Sequence, residues 1–267
     1  MNADEPLANS GGAPDFHVVI PSRNPDNLLA CVEAIRKREP SLPPERIIVV
    51  DDGARAAAEV LLPGVRWIAG IQPFIYARNV NLGIRAAGTD VILLNDDAIL
   101  RTREGFSRLA EQTRDRPTLG ACSAAVRGIA GNSDQHPAGA QEPRDGTYGI
   151  SFICVYLPGW VYQKIGPLDE RFSGYGYDDN DYCTRILRKG LRLGIWDGCI
   201  VDHPGRLVSS YRSRPDFPAL VAENQKLFVK KWGRIDVAHR AAARSDPARP
   251  RFSFRQWIRG VFRGEGS

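Results

Sequence analysis

Three short runs of aliphatic and β-branched residues each stop abruptly at polar, chemistry-capable side chains. They are His17-Val-Val-Ile-Pro21, Arg46-Ile-Ile-Val-Val-Asp51 and Asp90-Val-Ile-Leu-Leu-Asn95. Runs that are apolar at successive positions, not alternate ones, belong to strands buried on both faces, as in a parallel sheet covered by helices. Residues 65–69 and 119–126 extend the series. Helical patterns fall between them. Asn24-Pro25 caps and starts one with Leu28, Leu29, Val32 and Ile35 on a single face, residues 76–87 form another, and Thr102 is placed to cap a third that runs through Arg114. Strand and helix alternating at this spacing predict an α/β fold with ligands at the carboxyl ends of the strands.

The rest of the chain fits one such domain. Apolar stretches at 150–157 and 193–201 supply further strands, and 218–231 reads as a helix with Leu220, Val221, Leu227 and Phe228 facing inward. Residues 127–149 are rich in Gly, Asn, Asp, Pro and Gln and show no period, so they form an irregular excursion long enough to be functional or mobile. There is no internal repeat. The expected division is a disordered segment at 1–15, one α/β domain at 16–239 and a basic tail at 240–267.

Five cysteines (Cys31, Cys122, Cys154, Cys183, Cys199) are odd in number and scattered. That pattern predicts reduced, buried thiols in a cytoplasmic protein, not a disulfide frame or a zinc site. The first 15 residues are too polar for a signal peptide or anchor. The most apolar run, 150–162, is too short to span a bilayer and is broken by Pro158-Gly159. A soluble chain is expected.

Formal net charge is +5, and it is concentrated. From Arg240 onward seven Arg stand against Asp246 and Glu265, so the tail carries the whole excess. Arg251, Arg255, Arg259 and Arg263 recur every four residues, while Phe254, Trp257, Ile258, Val261 and Phe262 fill the other side. A basic helix with an aromatic apolar face is the pattern of an interfacial membrane anchor. The same face would equally serve to dock on the domain or on a second subunit.

The densest cluster of chemistry-bearing residues lies at 166–185. A loop rich in Gly and Tyr leads into Asp178, Asp179 and Asp181, and Tyr182, Cys183, Ile186 and Leu187 follow at helical spacing up to Lys189-Gly190. The carboxylates therefore occupy a helix cap and first turn, where the dipole favours anions. Asp181 is set to pair with Arg185 at i, i+4. Neighbouring helical residues point about a hundred degrees apart, so Asp178 and Asp179 are not expected to share a pocket. At the end of the 90–95 strand, Asn95-Asp96-Asp97 puts two carboxylates at a sheet edge with no local partner. Such charge needs a cation or donors to offset its desolvation, and magnesium or manganese held by one or two carboxylates plus substrate phosphates meets that need.

Residues 166–185 resemble the acceptor-side motif of family 2 glycosyltransferases with the GT-A fold, of the rhamnosyl- or galactofuranosyl-transferring kind. The matching residues are Leu168-Asp169-Glu170-Arg171-Phe172, Tyr175-Gly176, Asp178-Asp179, Asp181 and Arg185. The family's acidic pair is normally Glu-Asp and here is Asp-Asp, which leaves its second member, the catalytic base, in place as Asp179. The resemblance covers residues 17–233 in the family's motif order. It implies one nucleotide-sugar-binding domain with a mostly parallel central sheet flanked by helices, plus a C-terminal helical tail.

The resemblance also assigns roles. Pro21 and Arg23 after the first strand and Asp51 and Asp52 after the second would form the nucleotide-binding edge. Arg78, Asn79 and Asn81 would meet the pyrophosphate at a helix start. Asp97 would be the main metal ligand, with Asp96 assisting or contacting the donor ribose and His203 completing the shell through its imidazole. Trp160, Tyr175, Tyr177 and Asp178 would line the acceptor site. The implied reaction is an inverting, Mn2+- or Mg2+-dependent transfer from a nucleotide-sugar to an acceptor hydroxyl. The acceptor would be a sugar or a lipid-linked molecule, with peripheral association at an anionic inner membrane face and no role for nucleic acid. Two alternatives stay open on sequence. One is a sugar nucleotidyltransferase, although Pro21-Ser-Arg-Asn-Pro25 lacks the Gly-rich basic phosphate loop such enzymes carry. The other is a non-catalytic sugar-nucleotide-binding module.

Overall fold

The computed structural model describes residues 14–146, 149–203 and 215–233. Residues 1–13 and the whole of the 240–267 tail lie outside them. The elements in chain order are β1 (Phe16–Ser22), α1 (Pro25–Arg38), β2 (Ile47–Asp51), α2 (Arg55–Ala58), β3 (Arg66–Ala69), α3 (Tyr76–Ala87), β4 (Asp90–Leu94) and β5 (Ile99–Leu100). There follow α4 (Gly105–Arg114), β6 (Leu119–Gly128), β7 (Arg144–Asp145), β8 (Cys154–Leu157), α5 (Gly159–Ile165), α6 (Asp178–Arg188), β9 (Arg192–His203) and α7 (Phe217–Trp232).

The strands form one sheet in the order β3-β2-β1-β4-β8-β6-β9-β5, with β7 paired to β9. The first four strands are parallel. Strand β8 runs antiparallel between β4 and β6, and β6 and β9 resume the original direction. The sheet is therefore parallel in its first half and mixed in its second, and β1, β2, β4, β6 and β9 all end at the same edge.

Alternate strand residues feed two apolar layers, as expected of strands buried on both faces. Val18, Ile20, Ile47, Val49, Ile92 and Leu94 pack against Leu28, Val32 and Ile35 of α1 and Phe106 and Leu109 of α4. Val19, Ile48, Val50, Val91 and Leu93 pack against Val80 and Ile84 of α3, Val161 of α5 and Tyr182 and Ile186 of α6. A Cβ on Gly83 would lie 2.2 Å from Val19 Cγ1, so only glycine lets α3 press this closely on the sheet.

Local capping follows the sequence at α1. Asn24 Oδ1 accepts the N–H groups of Asp26 and Asn27 at 3.0 and 3.2 Å and starts α1. Thr102 is an exception, because its hydroxyl accepts the Ile200 N–H at 2.9 Å. The first turn of α4 is instead capped from a distance by Glu39, which accepts from the Phe106 N–H at 2.5 Å and the Ser107 hydroxyl at 2.9 Å. Burial pushes that carboxyl up to about 7.

The irregular excursion after β6 is pinned. Asp197 accepts N–H bonds from Ala138 and Ala140 at 2.7 and 2.9 Å and pairs with Arg144 at 2.7 Å. All five cysteines are free and buried, as expected. No helix among the described residues is long and apolar enough to cross a membrane.

Candidate active site

The carboxyl edge of the sheet brings together the ends of β1, β2, β4 and β9. It also receives α6, although α6 is not a neighbour of β4 in the sheet. The connection can be traced through the residues after β7. The Phe152 N–H is near enough to the Asp179 carboxylate to favour its charged form, and the next residue, Ile153, accepts the Asn95 N–H at 2.9 Å. Asn95 lies two residues before Asp97. The acidic helix start and the acidic strand end thus share one edge.

At that edge His203 Nε2 lies 3.0 Å from Asp97 Oδ1. His203 Nδ1 lies 2.6 Å from the Ile129 carbonyl, which can only accept, so Nδ1 holds a proton. A neutral His203 then directs the Nε2 lone pair at a carboxylate oxygen, and the two repel unless a proton or a metal cation lies between them. Both side chains are about nine-tenths buried, which sharpens the need. The donor set suits a divalent cation. No three His, Cys, Asp or Glu side chains converge among the described residues, and substrate oxygens and water would have to complete any coordination shell here, as is usual for Mg2+. Asp96 is held differently. It accepts the Ser22 hydroxyl at 2.7 Å, and burial pushes it up to about 6 against the opposing pull of the Ser22 hydroxyl and the nearby Arg23 and Asn24 N–H groups. Its carboxylate ties the end of β4 to the turn after β1.

Asp178 and Asp179 open α6 as the sequence predicts, and their charges interact. Burial is the main force raising both carboxyls, and repulsion from Asp179 raises Asp178 further. The N–H groups of Asp178 and Asp179 offset part of the rise in Asp178, while Asp179 accepts the Asn180 N–H at 2.8 Å. The Tyr76 ring, at the start of α3, feels both charges and donates its hydroxyl to the Phe152 carbonyl at 3.1 Å. Sequence reasoning missed Tyr76, Phe152 and Ser22. Only Tyr76 left a signal, two residues before Arg78. Asp181 is fully buried and pairs with Arg185 at 3.0 Å, as the i, i+4 spacing predicts.

The donor-side residues divide. Asp51 Oδ1 accepts the Gly53 and Arg55 N–H groups at 2.9 Å each, so one oxygen serves the turn. Asp52 is hydrogen-bonded by Gln72 and feels Arg23, with burial raising its carboxyl. Pro21 is buried in β1 opposite Val50, and Arg23 is exposed just beyond. Asn79 is fully buried, its Oδ1 accepts the Ile71 N–H at 3.0 Å, and its Nδ2 has no hydrogen-bond partner among the described residues. Arg78, in the first turn of α3, is half-buried and forms no ion pair among the described residues. Asn81 corrects the expectation of a pyrophosphate contact. It is fully buried, donates to the Leu168 carbonyl at 2.9 Å and accepts the Leu168 N–H at 2.9 Å, clamping the acidic motif's lead-in to α3.

Two of the expected acceptor aromatics are also corrected. Strand β8 runs antiparallel, with Cys154 opposite Leu94 and Leu157 opposite Val91, so α5 begins at the amino end of β4. The Gly159 N–H bonds Asp90, the first residue of β4, at 2.8 Å. Trp160 is thus at the far edge, a strand's length, roughly 15 Å, from Asp97. Tyr177 is 3% exposed and packs with Phe172 and Phe228. Burial takes its hydroxyl up to about 12, so the ring is core. Tyr175 sits edge-on to Phe217 of α7 at 4.8 Å. A cavity of about 460 Å³ lined by Ile165, Arg185, Arg188, Lys189 and Trp232 lies at the opposite end of α6 from Asp179, away from this edge.

With this geometry in view, the profile of the family described as Glycosyl transferase family 2 matches residues 17–189. No curated protein sequence matches the chain. Among solved structures, GalNAc-T7 with UDP, GalNAc and Mn2+ has a TM-score of 0.62 at 14% identity, over 86% of this chain and 55% of that one. The mannosyltransferase PcManGT from Pyrobaculum calidifontis, in complex with GDP-Man and Mn2+, has 0.59 at 17% identity, over 90% and 78%. S. aureus TarS has 0.58 at 13% identity, over 85% and 41%. At these identities the likeness is one of fold, and the chain spans 55% of the GalNAc-T7 chain.

Proposed function

The chain belongs to glycosyl transferase family 2, and from that premise we propose that it moves a sugar from a nucleotide-sugar to an acceptor hydroxyl with inversion, in a reaction that depends on a divalent cation. The observation that carries this is the meeting of two acidic sites at one sheet edge: Asp179 on α6, and Asp97 in the turn after β4 with His203 at the end of β9.

Asp179 takes the proton of the acceptor hydroxyl while the oxygen attacks the anomeric carbon, and the bond to the diphosphate oxygen breaks. Its partly buried, desolvated setting raises its basicity toward neutral pH, where a general base works best. Asp97 and His203 would hold Mn2+ or Mg2+, which when bound supplies positive charge against the leaving diphosphate. GalNAc-T7 with UDP and Mn2+ and PcManGT with GDP-Man and Mn2+ support both the donor class and the cation. Arg78 offers the diphosphate a guanidinium at a helix N-terminus. Asp51, Asp52 and Arg23 border the place for the nucleoside, and Asp96 steadies the two strand ends beneath it. Tyr175 and Asp178 remain on the acceptor side.

The motif resemblance favours a rhamnosyl or galactofuranosyl unit, built into a cell-surface polysaccharide or glycolipid. The basic tail would hold the enzyme at an anionic inner membrane face. A panel of nucleotide-sugars, each with and without chelator, tests the reaction class. Released nucleoside diphosphate that chelator abolishes is the expected result. Pyrophosphate exchange would mean nucleotidyl transfer, and no turnover with any donor would leave a binding module.

A further inference from the structure

We propose that Asn224 of α7 is a positioning residue for the catalytic base, holding the backbone step from which α6 begins. The proposal rests on Asp179 being that base.

The step is unusual. Gly176 and Tyr177, the two residues before Asp178, both have left-handed backbones, with φ of 70° and 68°. Glycine accepts this freely, but for tyrosine it is strained and persists only where the surroundings impose it. Here the surroundings are α7. Asn224 is 2% exposed. Its Nδ2 donates to the Gly176 carbonyl at 2.6 Å and its Oδ1 accepts the Gly174 N–H at 3.0 Å. One amide thereby brackets the turn on both sides of Tyr175. The Tyr175 N–H reaches the Leu220 carbonyl, and a Cβ on Gly174 would lie 2.3 Å from that oxygen, so the loop lies hard against the helix. The Tyr177 ring packs on Phe228 at 5.6 Å.

The same helix also grips α6 one turn further on. Lys231 Nζ lies 2.7 Å from both Asp169 Oδ2 and Asp181 Oδ1, and Trp232 Nε1 donates to Asp181 at 2.6 Å. Helix α7 therefore fixes the loop before the acidic pair and the turn after it. It lies beyond residue 189, where the family match ends. Without Asn224 the Gly174 N–H and Gly176 carbonyl lose their partners and Tyr177 is released toward a right-handed backbone. The first turn of α6 would then swing Asp179 away from the Phe152 N–H.

The test uses the full chain with Asn224→Ala and Asn224→Asp, the second keeping the acceptor for Gly174 and losing the donor to Gly176. The measurements are kcat, KM for the donor, Kd for the nucleoside diphosphate with Mn2+, and amide hydrogen exchange across residues 174–179. A displacement of about an ångström at a reacting group costs roughly 10²-fold. We expect kcat to fall 10- to 100-fold in Asn224→Ala and less in Asn224→Asp. Donor KM and nucleotide Kd should stay within about twofold of wild type, and exchange should quicken at 174–179. Wild-type kcat in both variants would overturn the proposal. So would parallel losses of kcat and nucleotide affinity, which mark general destabilisation. Undiminished transfer by Asp179→Asn would instead remove the premise, whatever Asn224 does.

Discussion

Replacing Asp179 by asparagine separates catalysis from helix capping, because the two roles predict different pairs of changes. Asparagine keeps an oxygen for the Asn180 N–H, now 2.8 Å from Asp179 Oδ1, so that first-turn contact survives. What disappears is a proton acceptor and a partly buried charge next to the buried Asp178. Loss of a general base lowers turnover by roughly 10²- to 10⁴-fold, about 3 to 5 kcal/mol of barrier. Loss of a partly buried carboxylate that is raised chiefly by desolvation should stabilise the fold by about 1–3 kcal/mol. For a chain of this size that is a rise in Tm of roughly 2–10 °C. The sign depends on pH. A carboxyl raised in the folded state binds protons more tightly there than when unfolded, so wild-type stability drops as pH rises from the ordinary carboxylate range through the raised value. The variant's advantage should be full at pH 8 and vanish near pH 4. Single-turnover transfer and thermal unfolding at both pH values test this. A variant with near-wild-type turnover, or one that is less stable at pH 8, would make Asp179 a cap.

Asp97→Ala and His203→Ala should each weaken Mn2+-dependent nucleoside diphosphate binding by roughly 10-fold or more, as losses at metal sites do; unchanged affinity by calorimetry would return either residue to a structural role. Glu39→Gln keeps the cap on α4 without its charge. Since Glu39 rises from 4.5 to about 7 on folding, its ionisation removes at most roughly 3 kcal/mol of stability between those pH values. The variant should therefore melt higher than wild type at pH 8 and match it at pH 4, and a pH-independent difference would refute this. Truncation after Arg244 should abolish salt-sensitive co-sedimentation with anionic vesicles, whereas equal sedimentation of both forms would assign the tail to a protein contact.

What the sequence disclosed was local. The apolar runs marked β1, β2 and β4, the helix at 76–87 appears with those bounds, and the Asn24 cap and Asp181–Arg185 pair form as spacing dictates. The sequence also showed which carboxylates follow strands. It could not show which edge a residue reaches when an antiparallel strand intervenes. Trp160 was displaced by the direction of β8, a pairing fixed more than sixty residues from β4. Helix α5 is short and follows Pro158-Gly159, which reads as a break. Asn81 and Asn79 have the composition of donor amides, and only tertiary packing turns Asn81 inward to Leu168. Glu39 capping α4, Asp197 pinning the excursion and Asn224 bracketing Gly174 and Gly176 all act across tens of residues. No periodicity encodes such contacts.

The anomeric configuration of the product tests the central claim most directly. With the donor identified from the panel, ¹H NMR of the newly formed glycoside reports whether the anomeric centre has the donor's configuration or the opposite one. Direct displacement assisted by Asp179 predicts the opposite configuration throughout the time course. Retention from the first turnover would contradict the assignment of Asp179 as base to an attacking acceptor.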